Sequence, residues 1–124
     1  TYTMASIVGN DFSSPDETMV FDKAEAKIVN LGDVKVTKAA LQPGWSWSTC
    51  IKPVVGTEIC QAKHVGVVIQ GSVSAKHDDG TQVQFKAGDV YVIEPGHDGW
   101  VEGNEAALIY EFSGNTPWNV ASKS

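Results

Sequence analysis

The feature that most constrains the fold of this chain is a regular series of short apolar segments, each ended by Gly, Pro, Asn or Asp. The segments are rich in Val, Ile, Phe and Tyr, which is typical of strands joined by turns. Within this series, "DDG" at 78–80 predicts a hairpin turn, because Gly tolerates a positive φ angle. About eight or nine such strands predict an all-β sandwich or barrel-like jelly roll. The clearest segments are "AKIVNLG", "VKVTKAALQPG", "HVGVVIQG", "SVSAKHDDG", "TQVQFKAG", "DVYVIEPG" and "AALIYEFSG".

Two other stretches are less regular. The segment "DETMVFDKAEAK" at 16–27 is the one part of the chain that suggests a helix, and only weakly. The segment "WSWSTCIKP" at 45–53 alternates like a strand, which puts Trp45, Trp47 and Thr49 on one face and Cys50 on the other.

Length and charge limit the classes of protein to consider. At 124 residues, 1–124 is expected to form one domain, with an N-terminal arm at 1–15 and a loosely held tail at 114–124 anchored by Trp118. The formal charge of −6 with scattered basic residues argues against nucleic acid. The sequence shows no membrane span or export signal, so the expected location is the cytoplasm. Dimerisation is expected, because exposed strand edges must be covered.

The two cysteines, Cys50 and Cys60, are too few for a disulfide framework and do not form a C-x-x-C pair. A disulfide between them would require an oxidising compartment and is not expected. Either thiol alone is commonly a small buried apolar group, so a structural role stays open for both.

The stretch "VVIQGSVSAKHDDGTQVQFKAGDVYVIEPG" resembles the core of a cupin, over residues 40–113. The resemblance implies a double-stranded β-helix, the jelly-roll barrel of that family. Two further stretches, "PGWSWSTC" and "PGHDGWV", are similar to those of a subgroup of small bacterial cupins. The matching positions are Gly71, Gly80, Gly88, Asp89, Pro95 and Gly96.

The cupin resemblance also implies a divalent metal site. Cys50 stands where the family has its first histidine ligand, His64 stands where it has a glutamate, and His97 comes two residues before the last histidine position. A thiolate ligand favours zinc, or iron, over manganese or magnesium. Cys60 is a fourth candidate, although on a straight strand it would lie roughly 13 Å from His64, so it is a ligand only if the chain bends between them. His77, beside the Asp-Asp-Gly turn, is not expected to take part.

Other interpretations of the two site histidines stay open. His64 could donate a hydrogen bond to a backbone carbonyl, and His97 could be a turn residue held by Asp98. Three aromatic residues, Trp47, Tyr91 and Trp100, are candidates for lining a ligand pocket at the barrel mouth, with a core role as the alternative.

The resemblance predicts a small metal-dependent enzyme that acts on an oxygenated organic molecule, as a dioxygenase, isomerase or lyase. The competing hypothesis is a non-catalytic module that binds or senses a small molecule and has a degenerate metal site. Fold does not decide between them, since cupins include both kinds of protein.

Overall fold

The structure is a computed structural model and describes residues 6–56 and 63–114. The described part confirms the all-β prediction, with nine strands and two four-residue helices. The strands are β1 (Glu17–Phe21), β2 (Ala24–Leu31), β3 (Val34–Leu41), β4 (His64–Gln70), β5 (Ser72–His77), β6 (Gln82–Lys86), β7 (Val90–Ile93), β8 (His97–Val101) and β9 (Ala107–Gly114). The helices are α1 (Trp47–Cys50) and α2 (Lys52–Val55).

The strands form two antiparallel sheets. One sheet has six strands in the order β1-β2-β3-β9-β4-β7, and the other has three strands in the order β6-β5-β8. Strand β9 inserts between β3 and β4, so this late strand completes the large sheet. This placement brings residues that are far apart in sequence onto one inner face.

The core lies between the inner faces of the two sheets, and the alternation of each strand determines which residues reach it. In β4 the face that carries His64, Gly66 and Val68 points inward, since Val68 is fully buried. Cross-strand partners continue this face: Val68 pairs with Ile109 of β9, and Val73 of β5 pairs with Val101 of β8. These buried residues belong to one apolar cluster.

The predicted turn at 78–80 is confirmed. Strands β5 and β6 form an antiparallel hairpin, closed by a hydrogen bond from the His77 N–H to the Thr81 carbonyl at 2.8 Å. Gly80 adopts a φ of 93°, a conformation that L side chains rarely adopt.

The weak helical interpretation of 16–27 is wrong. Strands β1 and β2 pair as a hairpin across this stretch, and Lys23 turns the chain with a φ of 59°. The outer strand of a sheet gains its hydrogen bonds from a partner strand, which local sequence does not reveal.

The strand prediction for 45–53 is also wrong, because the stretch forms α1 and α2. The Ser46 side chain caps α1 by accepting from the Thr49 N–H at 3.2 Å, and Pro53 lies in the first turn of α2. These local capping features override the strand-like alternation. As a result, Cys50 leaves α1 in a direction that a strand would not give it.

The described part of the N-terminal arm packs on the outer face of the large sheet. The Phe12 ring lies 5.7 Å from the Tyr110 ring, and the Lys38 Nζ lies 5.9 Å from the Phe12 ring centroid. The predicted tail anchor, Trp118, lies outside the described residues. In the described part, no helix has the length and apolar character required to cross a membrane.

Candidate functional site

The inner face of the large sheet places His64 against Glu111. Glu111 lies opposite Gly66 in the β4–β9 pairing, which puts it diagonally across from His64. His64 Nδ1 lies 2.7 Å from Glu111 Oε1, with 26% and 22% of the two side chains exposed. Because an ionised carboxylate only accepts hydrogen bonds, Nδ1 carries a proton, and Nε2 is the basic nitrogen whenever the ring is neutral.

Tyr91 occupies the other oxygen of the same carboxylate. Its hydroxyl donates to Glu111 Oε2 at 2.7 Å, and its side chain is buried in the core. Burial acts to raise the pKa of Glu111, but the His64 charge and the hydrogen bonds from His64 and Tyr91 outweigh it and lower that pKa below its usual value. Burial, aided by the Glu111 charge, raises the pKa of Tyr91, so the phenol stays a donor. Glu111 is thus held as a carboxylate between two donors.

Gly66 allows this close approach of β4 to its neighbours. A Cβ at position 66 would lie 2.8 Å from the Tyr91 hydroxyl and would also meet the backbone carbonyl of Tyr110. Any side chain at this position would therefore push apart the residues that hold Glu111.

The small sheet contributes His97, the first residue of β8. His97 is 4% exposed, and its Nδ1 donates to the Glu94 carbonyl at 2.7 Å, so its Nε2 is also the basic nitrogen. The His97 and His64 ring centroids are 5.0 Å apart, with an angle of 72° between the planes. Asp98 does not hold His97 and instead accepts from the backbone N–H groups of Ser48 and Gly99.

Cys50 has different neighbours. Its thiol is buried, free of any disulfide, and lies 3.7 Å from Asp22 Oδ2 and 3.5 Å from Thr49 Oγ1. In residues 6–56 and 63–114, no three His, Cys, Asp or Glu side chains are grouped to hold a metal ion. The described structure therefore places His64 beside His97 without bringing Cys50 into a group with them. Cys60 lies outside the described residues.

His77 lies on the strand next to His97 and holds the turn beside it. Its Nε2 donates to the Pro95 carbonyl at 2.8 Å, and its Nδ1 accepts from the Asp79 N–H at 3.1 Å. These bonds tie the β5–β6 turn to the segment before β8. His77 is also the cross-strand partner of His97.

A cavity of about 300 Å³ opens between β6 and β7, and we call it the β6–β7 cavity. Ile93, the cross-strand partner of His64, and His77, the partner of His97, both line it. His64 and His97 are not themselves among the residues that line the cavity, and each is one paired residue away from it, with Cβ atoms about 5 Å apart. The rest of its lining includes Val83, Phe85, Asp79 and Glu94.

The three aromatic residues predicted for a pocket, all within the described ranges, lie elsewhere than in the lining of this cavity. Trp47 is buried at the start of α1, and the Tyr91 hydroxyl donates a hydrogen bond to Glu111. Trp100 points to the outer face of β8, where its Nε1 donates to Glu102 Oε1 at 2.7 Å.

Glu111 was not predicted from the sequence, although the strand pattern held a signal. Ala107, Ile109 and Glu111 share one face of β9, and the first two are core residues. A carboxylate that continues a buried face requires hydrogen-bond partners, which marks it as a candidate site residue.

The donor set can be compared with what a divalent metal requires. His64 and His97 are oriented as metal-binding imidazoles commonly are, with one ring nitrogen donating to a carboxylate or a backbone carbonyl. Catalytic metal sites usually have three protein ligands, and the described residues supply two imidazoles without a third partner. The described residues do not fit a complete metal site.

Comparison with known proteins adds one sequence match and several structural ones. The sequence model of the EutQ-like cupin domain matches residues 34–109. No curated protein sequence matches the chain.

Solved structures with similar folds share little sequence with this chain. AerE from Microcystis aeruginosa has a TM-score of 0.59 at 15% identity, over 76% of this chain and 42% of AerE. A sugar phosphate isomerase from Silicibacter pomeroyi has a TM-score of 0.56 at 16% identity, over 77% of this chain and 62% of the isomerase. KdgF from Halomonas sp. has a TM-score of 0.53 at 18% identity, over 77% of this chain and 83% of KdgF. The chain spans less than two thirds of the first two proteins, and identities this low show the jelly-roll fold alone.

Proposed function

The chain belongs to the EutQ-like cupin domain family, and from that premise we propose that it binds a small organic molecule in the β6–β7 cavity and transfers a proton within it. The observation that carries this proposal is the pairing of His64 with Glu111 on the inner face of the barrel. A carboxylate that orients an imidazole is a common arrangement for a general base.

In this mechanism His64 Nε2 removes a proton from a carbon next to a carbonyl group of the ligand. Glu111 fixes the tautomer that leaves Nε2 basic, and it stabilises the imidazolium that forms. Tyr91 keeps Glu111 in place and ionised through its hydrogen bond to the second oxygen. Tyr91 is therefore a positioning residue.

His97 supplies a second imidazole near the first. Its Nδ1 bond to the Glu94 carbonyl leaves Nε2 to exchange a proton with the ligand. The two ring centroids are 5.0 Å apart, so one imidazole can act as acid while the other acts as base. Removing a proton at one atom and returning one at another is an isomerisation. A sugar phosphate isomerase is among the solved structures with a similar fold, which supports proposing this class of reaction.

Proton transfer is tested without knowing the natural substrate. Uncharged and cationic ketones and hydroxyketones are incubated with the protein in D₂O, and exchange of carbon-bound hydrogen is followed by NMR. We expect exchange with the wild type and a loss of at least about 100-fold in His64→Ala and Glu111→Gln. Binding of these compounds without exchange would contradict catalysis and favour the non-catalytic module.

A divalent metal, zinc or iron, stays a prediction that rests on His64 and His97. The feature in its favour is that both Nδ1 atoms are anchored, to a carboxylate and to a backbone carbonyl. Elemental analysis of the purified protein, compared with His64→Ala and His97→Ala, checks it. Stoichiometric metal that both variants lose would support the prediction, and a metal content equal in all three proteins would contradict it.

A homodimer is supported by the outer face of β7 and β9. Val90, Val92 and Phe112 are 76%, 57% and 43% exposed, and they border one shallow apolar depression. Strand β7 is also an edge of the large sheet. An exposed apolar face beside a sheet edge is a common protein interface, and we propose that a second copy of the chain covers it. The cytoplasmic location is a separate prediction, made from the sequence.

A further inference from the structure

We infer that the β6–β7 cavity selects a ligand with an apolar body and an uncharged or cationic head group, and that it disfavours anions. The inference rests on the proposed function in taking this cavity as the ligand site. It goes further by assigning the charge of the ligand.

The walls of the cavity determine the body of the ligand. Val83, Phe85 and Ile93 line it, and Phe85 also packs against the Tyr91 ring with centroids 5.3 Å apart. A volume of about 300 Å³ accommodates a molecule with one ring or a short aliphatic chain. An apolar group placed here is removed from water against apolar side chains.

The ionisable groups of the lining determine the head group. Asp79 and Glu94 are the carboxylates among the described lining residues, which include no Lys or Arg. Asp79 Oδ1 accepts from the Thr81 N–H at 2.8 Å, and the Thr81 hydrogen bonds lower the pKa of Asp79, which keeps it ionised. Lys63 Nζ lies 3.6 Å from Glu94 Oε2, so one ammonium stands against two carboxylates. The local charge is negative.

His77 is the imidazole of the described lining. Its two ring nitrogens are engaged as one donor, to the Pro95 carbonyl, and one acceptor, from the Asp79 N–H. His77 Nδ1 also lies 3.4 Å from Asp79 Oδ1, so neither ring nitrogen is left to pair with an anionic head group. An anionic head group would therefore face two carboxylates, and the described lining includes no Lys or Arg to pair with it.

The amino-acid composition also argues against an anionic ligand. All nine basic residues are lysines, and the chain contains no arginine. The planar guanidinium is the group that binds carboxylates and phosphates with two parallel hydrogen bonds. The chain therefore lacks the side chain best suited to hold an organic acid or a phosphorylated sugar.

A matched series of ligands tests the inference through binding alone. Benzylamine, benzyl alcohol and benzoate share a ring and differ in charge, and their affinities are measured by NMR titration at neutral pH. We expect benzoate to bind at least about fivefold more weakly than benzylamine, as two partly exposed carboxylates predict. In the double variant Asp79→Asn, Glu94→Gln the gap should close, while Glu25→Gln, an exposed change outside the cavity, should preserve it.

Three results would overturn the inference: benzoate binding as tightly as benzylamine, a gap unchanged in the double variant, or binding of all three unaffected by Val83→Trp, which fills the cavity. If the double variant does not fold, the comparison of benzylamine with benzoate on the wild type still decides the charge preference. If that preference holds but no compound exchanges deuterium, the proposed function fails and the inference stands. If deuterium exchange occurs with anions as readily as with amines, the inference fails and the proposed function stands.

Discussion

At the scale of single residues, Glu111 connects the site to the core. It accepts from His64 with one oxygen and from Tyr91 with the other, both at 2.7 Å. The resemblance to cupins made His64 and His97 candidate site residues. It could not predict Glu111, because Gly66 and Glu111 become neighbours only when β9 inserts beside β4.

Removing the Tyr91 hydroxyl should weaken both stability and the site. In Tyr91→Phe the ring still packs in the core, but Glu111 loses a donor, and we expect a loss of about 1.5–3 kcal/mol in the free energy of unfolding. Urea denaturation measures it. Tyr110→Phe is the matched control, because the Tyr110 ring stacks on Phe12 outside the barrel. An equal loss in both variants would contradict the role assigned to Tyr91.

The lowered pKa of Glu111 predicts how stability depends on pH. A carboxyl whose pKa is lower in the folded state stabilises the fold above its unfolded value, 4.5, and loses that contribution as pH falls through the folded pKa. The stability advantage of wild type over Glu111→Gln should therefore be largest near pH 7 and shrink on acidification below about pH 4.5. Denaturation at a series of pH values checks this, with the exposed Glu25→Gln as control. An advantage that stays constant from neutral to acidic pH would contradict the prediction.

At the scale of elements, the strands were predictable because burial on one face produces alternation, as in β4 and β9. The segment at 45–53 was not, because the hydrogen bond from the Thr49 N–H to Ser46 and the proline in α2 favour helical turns over a strand with the same alternation. The helical turns also place the Cys50 thiol next to the Asp22 carboxylate. Cys50, the ligand that the resemblance implied in this segment, therefore lies in the part of the chain whose secondary structure was predicted wrongly.

The contact between β4 and its neighbours predicts the effect of Gly66→Ala. The new Cβ would meet the Tyr91 hydroxyl and a backbone carbonyl that cannot move independently, so we expect a loss of about 1–3 kcal/mol in the free energy of unfolding. Gly99→Ala is the matched control in the small sheet, since its Cβ would lie 3.4 Å from the Ser74 carbonyl, an ordinary contact. Thermal and urea denaturation compare the two. Equal stability of both variants would show that β4 does not pack as closely as described.

At the scale of the whole molecule, the resemblance predicted the jelly roll, since glycines and prolines fix the turns of the barrel. It could not predict the β6–β7 cavity, whose size depends on how the edges of two separate sheets approach each other. The charge of its lining follows from that approach, which brings Asp79 near Glu94.

The exposed outer face predicts a dimer that depends on β7. Val90→Lys combined with Val92→Lys places two charges on the proposed interface, and we expect the protein to become monomeric while it keeps its fold, because both side chains are exposed. Light scattering after gel filtration measures the mass, and circular dichroism reports the fold. Val54→Lys, at a similarly exposed position on α2, should leave the dimer intact. A dimer that persists in the double variant would contradict this interface.

The central claim is that His64 presents a basic Nε2 because Glu111 holds its Nδ1 proton, and long-range ¹H–¹⁵N NMR of the imidazole rings tests it directly. The neutral rings of His64 and His97 should both show the Nδ1–H tautomer, while His77 should show the opposite Nε2–H tautomer. His77 thus provides an internal reference in the same spectrum. An Nε2–H tautomer for His64 would contradict the claim.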